Sequence, residues 1–375
     1  MPVDAPADST PSYPGSHGLA SSAQCGGAAL PTPPQRTYTL PSGRAVPLPV
    51  FLPVYQARGT LFRLLPEDNG LAIEGLIVNA YFLYKERSIR NLLLGGRKLT
   101  EFVGFDGFIT TDSGAFQGFT RQLFLSNKEI VRFQDKIRSD VAAPLDLVTP
   151  PGDRRSVAEA KLATTNKRVR EALDLAEYSV ISGVQQGGRF MDLRLRAVEE
   201  LTSMGVRYLA LGSLVPFFNR NHDLGFVGSV IRQARDIAGP DMPIHVYGAG
   251  DPLELPFMVK LGATIFDSSS YAHYAKKGAY MTPYGALTEP SRLISGEYAC
   301  SCAACRQSAG GSELFHDADR LSKHNLHTIL ATVAHVRAIW TRPEIFQRYL
   351  DKVLDIHQRW FPQSALQQSL EKLLG

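Results

Sequence analysis

GATIFDSSSYAHYAKKG, residues 262–278, is the stretch on which the reading of the fold turns. GATIF is a short apolar run, Asp267 stands at its carboxyl end, and the residues after it read as a turn leading into a helix. A buried strand that ends in a carboxylate and passes at once to a helix is one unit of a strand–helix repeat. Alone, an Asp at this place reads as a cap on the next turn. The rest of the chain shows that the unit recurs.

Seven further apolar runs precede it: VPLPVFLPVY (46–55), LIVNA (76–80), FITT (108–111), VAAPLD (141–146), YSVISGVQQ (178–186), YLALGS (208–213) and IHVYGAG (244–250). Between them lie segments with apolar residues three and four apart, such as KEIVRFQDKIRSD, SVAEAKLATTNKRVREALDLA, MDLRLRAVEELTSMG and PLELPFMVKLG. Strands buried on both faces and alternating with amphipathic helices imply parallel crossovers. Eight such units match an α/β chain folded as a (β/α)8 TIM barrel, assigned here to residues 37–290. The alternative, an open doubly wound sheet, lacks its Gly-rich phosphate turn.

The runs also end alike. The third is followed by Asp112-Ser113-Gly114, the fourth ends at Asp146, and the fifth at Gln185-Gln186-Gly187-Gly188. The sixth ends at Gly212-Ser213, the seventh at Gly248-Ala249-Gly250 and the eighth at Asp267. In a barrel these ends meet on one face, where active sites of this fold lie. Carboxylates, amides and exposed backbone at one rim suit a hydrogen-bonding, amide-like ligand, and a guanine-type base fits. Asp146 can accept from its N–H groups, Gln186 can donate and accept, and the amides from Gly212 to Leu214 can hold its carbonyl. Phe116 and Tyr247 offer aromatic faces, on which base stacking contributes about 1–3 kcal/mol. Asp112 and Asp267 suggest double displacement at a sugar carbon, as in retaining glycosidases, whose carboxyl groups sit ~5–5.5 Å apart.

The flanks differ in kind. Residues 1–36 are rich in Pro, Ser, Gly and Ala and are expected to be disordered. Residues 341–375 form an amphipathic helical tail, with Ile345, Tyr349, Val353 and Ile356 at helical spacing, able to cover the barrel or a partner. A net charge of +4 permits a polyanionic partner without demanding one. With no apolar run of ~20 residues and no signal-peptide layout, a soluble, cytoplasmic protein is expected, with no membrane partner. Cys300, Cys302 and Cys305 are spaced for a metal rather than for a disulfide framework. C-x-C-x-x-C can set three thiolates around one tetrahedral Zn2+, and a fourth ligand from a helix would close a structural site. A zinc-binding helical subdomain is assigned to residues 291–340.

FDGFITTDSGAFQ, GVQQGG followed by DLR, ALGSLVP, HVYGAG, GATIFDSSSYAHYAKKGAYMT, and CSCAAC with a later HNL together resemble the tRNA-guanine transglycosylases, over about residues 38–340. These enzymes exchange a guanine in RNA for a 7-deazaguanine, and the blocks are nearer to the archaeal-type branch. The resemblance implies that Asp267 is the nucleophile and Asp112 the general acid/base. It implies that Ser113, Asp146, Gln186, Gly212, Ser213 and Leu214 contact the base, with Phe116 and Tyr247 sandwiching it. It puts the fourth zinc ligand at His324, with His327 and His316 as the other choices. It also allows a homodimer.

The chain departs from the family in three places. The Cys305 to His324 interval is short, so the loop over residues 306–320 must be trimmed. Ala279 stands where a basic residue is common. The chain reads as the catalytic body without the RNA-binding domains that archaeal enzymes append. That leaves a related reading, the same exchange on DNA, and a third, a non-catalytic subunit that binds RNA or a partner. A metal-dependent hydrolase would need a His cluster at the rim; His245 reads as core or as support for the site. Lys276 and Lys277, just past the nucleophile, are the expected grip on a nucleic-acid backbone, ahead of Arg189, Arg194, Arg196 and Arg292.

Overall fold

The computed structural model describes residues 35–55, 72–115, 125–218 and 224–374. Eight parallel strands carry the architecture, numbered here β1 to β8. They are β1 Val50–Tyr55, β2 Gly75–Asn79, β3 Phe108–Asp112, β4 Val141–Ala142, β5 in two pieces, β6 Leu209–Leu211, β7 Ile244–Val246 and β8 Ile265–Ser268. The pieces of β5 are Val180–Ile181, which pairs with β4, and Gly183–Gln185, which pairs with β6. Only Ser182 separates them, so the two ends of the hydrogen-bonded sheet are one continuous stretch of chain and the sheet closes. β8 pairs with β1 on the opposite side, Val50 facing Ile265 and Leu52 facing Asp267. This is the expected (β/α)8 barrel. All eight apolar runs became strands because each is short, buried on both faces and bounded by turns.

One run divided. VPLPVFLPVY is not a single strand: Ala45–Pro47 pairs antiparallel with Thr37–Thr39 as a hairpin, and the barrel strand begins only at Val50. Pro47 and Pro49 lack the N–H that an uninterrupted ladder requires. The hairpin sends Tyr38, Leu40, Val46 and Leu48 into the amino-terminal mouth of the barrel, against Val50, Phe108, Val141, Val180, Tyr208 and Ile265. The floor is thereby sealed, and the open end is the carboxyl rim.

Helices follow the strands as the spacing indicates. Asn127–Lys136 opens with a capping box, Ser126 with Glu129, and Arg155–Leu175 buries Ala158, Leu162, Thr165, Val169 and Ala172 along one stripe. Met191–Ser203, Leu224–Ala238 and Leu255–Lys260 continue the ring. After β8 the short helix Ser270–Ala275 leads to a hairpin, Tyr280–Thr282 with Gly285–Leu287, and then to the cysteine segment. The chain then returns as the long helix Ala318–Ile339. Its Arg337 donates from Nε to the Pro49 carbonyl at 2.9 Å and from both Nη atoms to Glu74, so this helix forms the wall over β1. Two more helices end the described chain, Pro343–Trp360 and Leu366–Leu374. Phe346, Leu350, Val353 and Leu366 join the main core, so the tail covers its own barrel. The buried seam is Phe346, Leu350, Val353 and His357, rotated from the one drawn through Ile345, Tyr349 and Ile356. Of the leading segment 1–36, all but the last two residues lie outside the described residues. No helix among the described residues is long and apolar enough to cross a membrane.

Candidate active site

The rim gathers the carboxylates. Asp112 ends β3 and is held by two donors, Asn79 Nδ2 at 2.8 Å and the Gly114 N–H at 3.1 Å. Asn79 ends β2 and faces Asp112 in register, which is why it reaches. Burial pushes the Asp112 carboxyl up to about 7, helped by the charges of Asp146 and Asp267 and opposed by its two donors. A carboxyl with that value exchanges protons readily near neutrality. Ser113 beside it is 1% exposed, and its hydroxyl has no partner among the described residues. A ligand arriving here would satisfy it.

Asp267 lies on β8 and is 9% exposed. Its Oδ1 contacts His245 Nε2 at 2.8 Å and accepts from the Gly248 N–H at 3.1 Å. His245 in turn touches the Tyr208 hydroxyl through Nδ1 at 2.8 Å. Tyr247 is near enough to all three carboxylates to feel their charges. Its ring meets His245 edge to face at 4.6 Å, its hydroxyl lies 3.3 Å from Ser182 Oγ, and burial, with the charges of Asp146, Asp112 and Asp267, keeps it a phenol.

Asp146 belongs to a second network. Gln186 Nε2 donates to Asp146 Oδ2 at 2.6 Å, Ser213 Oγ donates to Gln186 Oε1 at 2.8 Å, and the Thr149 N–H donates to Ser213 Oγ at 2.9 Å. Burial raises Asp146 to about 6, against the lowering effects of Gln186 and Arg168. A Cβ on Gly212 would stand 2.6 Å from Gln186 Nε2, so only glycine leaves the amide its place. Gly212 itself is committed, its N–H to the Gln185 carbonyl and its own carbonyl to Arg194. The amide donors left at this turn are those of Ser213 and Leu214, which have no partner among the described residues.

Arg194 departs from the expectation that it tracks phosphates. It is 0% exposed and donates to the Gly188 carbonyl at 2.7 Å, Gln185 Oε1 at 2.9 Å and the Gly212 carbonyl at 3.2 Å. Gly187 permits this close approach, since a Cβ there would lie 2.9 Å from the Arg194 backbone nitrogen. The guanidinium is therefore a strut that ties together the segments following β5 and β6. Arg196 and Arg292 are paired with acids, Glu159 and Glu297. Lys276 and Lys277 are exposed at the end of helix Ser270–Ala275. Phe116 lies outside the described residues.

The cysteines form a separate centre. Ligand atoms of Cys300, Cys302, Cys305 and His324 all lie within 4.8 Å of one another. His324 turns Nδ1 toward the sulfurs, 3.6 Å from Cys302 and 3.3 Å from Cys305, while Nε2 donates to the Met281 carbonyl at 2.8 Å. That second bond orients the ring and leaves Nδ1 free as a ligand. Tyr280 stacks on the ring at 3.6 Å, and its hydroxyl lies 3.1 Å from Cys305 Sγ. Of the three histidines considered, His324 is the one in the cluster; His316 is exposed and His327 half-buried outside it. Three thiols and an imidazole converging on one point are a donor set for a four-coordinate metal with no open position.

A family model described as queuine tRNA-ribosyltransferase matches residues 35–358. The chain belongs to this family. Proteins named tRNA-guanine(15) transglycosylase from Methanopyrus kandleri, Methanosarcina mazei and Pyrococcus abyssi are 35%, 34% and 35% identical to it over 313, 278 and 271 residues. These alignments cover 82%, 73% and 70% of this chain but 66%, 55% and 44% of the relatives. The chain thus spans between 44% and 66% of the length of those relatives. Within this queuine tRNA-ribosyltransferase family member, the blocks that carry the resemblance are the ones that furnish the rim and the cysteine centre.

Proposed function

We propose that this chain exchanges guanine in tRNA for a 7-deazaguanine by double displacement through a glycosyl ester on Asp267. The observation that carries the reading is the meeting of Asp112, Asp146 and Asp267 on one rim, with Gln186 bonded to Asp146 at 2.6 Å. Asp146 and Gln186 read the guanine edge, the Ser213 and Leu214 amides hold its carbonyl, and Tyr247 with Phe116 covers its faces. Asp267 attacks the ribose C1′, the bond from C1′ to the base nitrogen breaks, and the departing guanine takes a proton from Asp112. The Asp112 carboxylate then takes the N–H proton of the incoming base as that nitrogen attacks C1′, and the ester bond to Asp267 breaks, its electron pair returning to the carboxylate. Family membership and the names of the archaeal relatives support tRNA as the substrate.

Cys300, Cys302, Cys305 and His324 would hold a structural Zn2+, which supplies cross-linking and no activated water. Lys276 and Lys277 are proposed to meet the nucleic-acid backbone. The test is incorporation of labelled guanine into unmodified tRNA and, in parallel, into double-stranded DNA, with Asp267→Ala as control. Label in tRNA alone supports the reading and allows the position to be mapped. Label in DNA alone overturns the substrate and keeps the residue roles. Label in neither overturns the exchange reading.

A further inference from the structure

The contacts of Asp267 are one-sided. Oδ1 receives two donors, His245 Nε2 at 2.8 Å and the Gly248 N–H at 3.1 Å, while Oδ2 has no bond among the described residues. His245 is 1% exposed and lies opposite Ile265 in the pairing of β7 with β8. A strand side chain leans along its strand, so the ring reaches the carboxylate two residues beyond its partner. A carboxylate can only accept, so Nε2 carries the proton and Nδ1 takes the O–H of Tyr208 at 2.8 Å. Tyr208 is itself 1% exposed and its ring meets Tyr38 of the floor hairpin at 5.9 Å. Both ring nitrogens of His245 are thus engaged inside the core, which fixes the direction of the ring.

We propose that His245, oriented by Tyr208, is a positioning residue that with the Gly248 amide selects Oδ2 as the attacking atom and speeds cleavage of the covalent ester. This rests on the exchange reading above. N–H donors bind a charged carboxylate more strongly than the carbonyl of a neutral ester. When the incoming base nitrogen bonds to C1′ and the bond from C1′ to Oδ2 breaks, its electron pair returns to the Asp267 carboxylate. The donors on Oδ1 stabilise that charge as it forms. In the first displacement the same donors oppose the attack, but an oxocarbenium-like transition state has little bond to the nucleophile. The cradle therefore acts chiefly on the second step. It keeps the ester transient.

The experiment separates the steps. Full-length protein is mixed with guanine-containing tRNA, or double-stranded DNA, the covalent adduct is followed on denaturing gels, and excess guanine is then added to chase it. His245→Leu is expected to slow the chase about tenfold or more, the effect of one charge-assisted hydrogen bond, while adduct formation changes only about threefold. His245→Gln, which restores an N–H near the Nε2 position, is expected to recover most of the chase rate. Tyr208→Phe should give an intermediate slowing. Equal slowing of both steps, or no rescue by Gln, overturns the proposal. Absence of adduct from the wild type on either nucleic acid overturns the exchange reading instead. The contact is then read separately with 15N-histidine NMR, where Asp267→Ala should move the His245 Nε2 signal and an unmoved signal overturns the cradle. If the Leu variant does not fold, Gln and Tyr208→Phe carry the same test.

Discussion

The side-chain amide of Gln186 donates to Oδ2 of Asp146 across 2.6 Å, and burial holds that carboxyl up at about 6. A base read through its N–H groups needs Asp146 ionised. Guanine affinity should therefore fall as pH drops through about 6, approaching tenfold per pH unit. Gln186→Leu removes a lowering influence and should move the fall to higher pH. Calorimetric titration of free guanine from pH 5 to 8, in an Asp112→Asn background to remove the neighbouring titration, measures both. A flat profile would show that Asp146 is not the acceptor.

Asp112 carries a stability cost with a defined sign. Its folded value of about 7 lies above the usual 3.8, so between these limits the folded state holds a proton that the unfolded state has lost. Stability tied to this group is complete below the unfolded value and is lost as pH rises through about 7. Asp112→Asn should abolish exchange yet raise stability at pH 8 by about 1–2 kcal/mol, with no gain near pH 4. Denaturant melts at the two pH values decide it. Equal effects at both would contradict the assignment.

Gly212→Ala should displace the Gln186 amide without unfolding the barrel. Its Cβ meets Nε2 at 2.6 Å, and the backbone there is not in the left-handed region. We expect base affinity about tenfold weaker, the effect of one misplaced hydrogen bond, with Tm nearly unchanged. A fall in Tm with intact affinity would mean that the contact is only packing.

Metal analysis should find about one zinc per chain. His324→Ala should lose it and destabilise the protein by on the order of several kcal/mol, whereas His327→Ala should retain it. Chelation should lower Tm in the wild type and leave the His324 variant unmoved. Retention of zinc by His324→Ala would put the fourth ligand elsewhere.

Replacing Lys276 and Lys277 together by Ala should weaken nucleic-acid binding and reduce its logarithmic salt slope by about 1.4–1.8. Both are exposed beyond helix Ser270–Ala275, so stability should hold. An unchanged slope would remove them from the interface.

The barrel was legible because burial on both faces of a short strand leaves an apolar run bounded by turns. The places of Asp112, Asp146, Gln186, Ser213 and Asp267 were legible because each stands at or just past the end of such a run. Asn79, Tyr208 and Arg194 were not seen in their actual roles, since those depend on contacts across strands: Asn79 on its register with Asp112, Tyr208 on the ring of His245, Arg194 on carbonyls of two loops. The floor hairpin was hidden by continuity of apolar character from Val46 to Tyr55, where only the missing N–H of two prolines marks the break. Among three histidines near the cysteines, choice of His324 depends on Met281, whose carbonyl turns the ring, and no spacing rule reports that.

Helix Ala318–Ile339 holds His324 near one end and Arg337 near the other, the first among the cysteines and the second on Pro49 and Glu74 beside β1 and β2. The ribosome delivers β1 more than two hundred residues before this helix. The Pro49 carbonyl and Glu74, at the heads of β1 and β2, are thus met by a segment made after every rim carboxylate. The histidine of the cysteine cluster and the arginine that bonds Pro49 and Glu74 lie on this one helix, so the chain acquires both together. A truncated product that stops before residue 318 would carry every rim carboxylate and lack the helix that bonds to the head of the first strand.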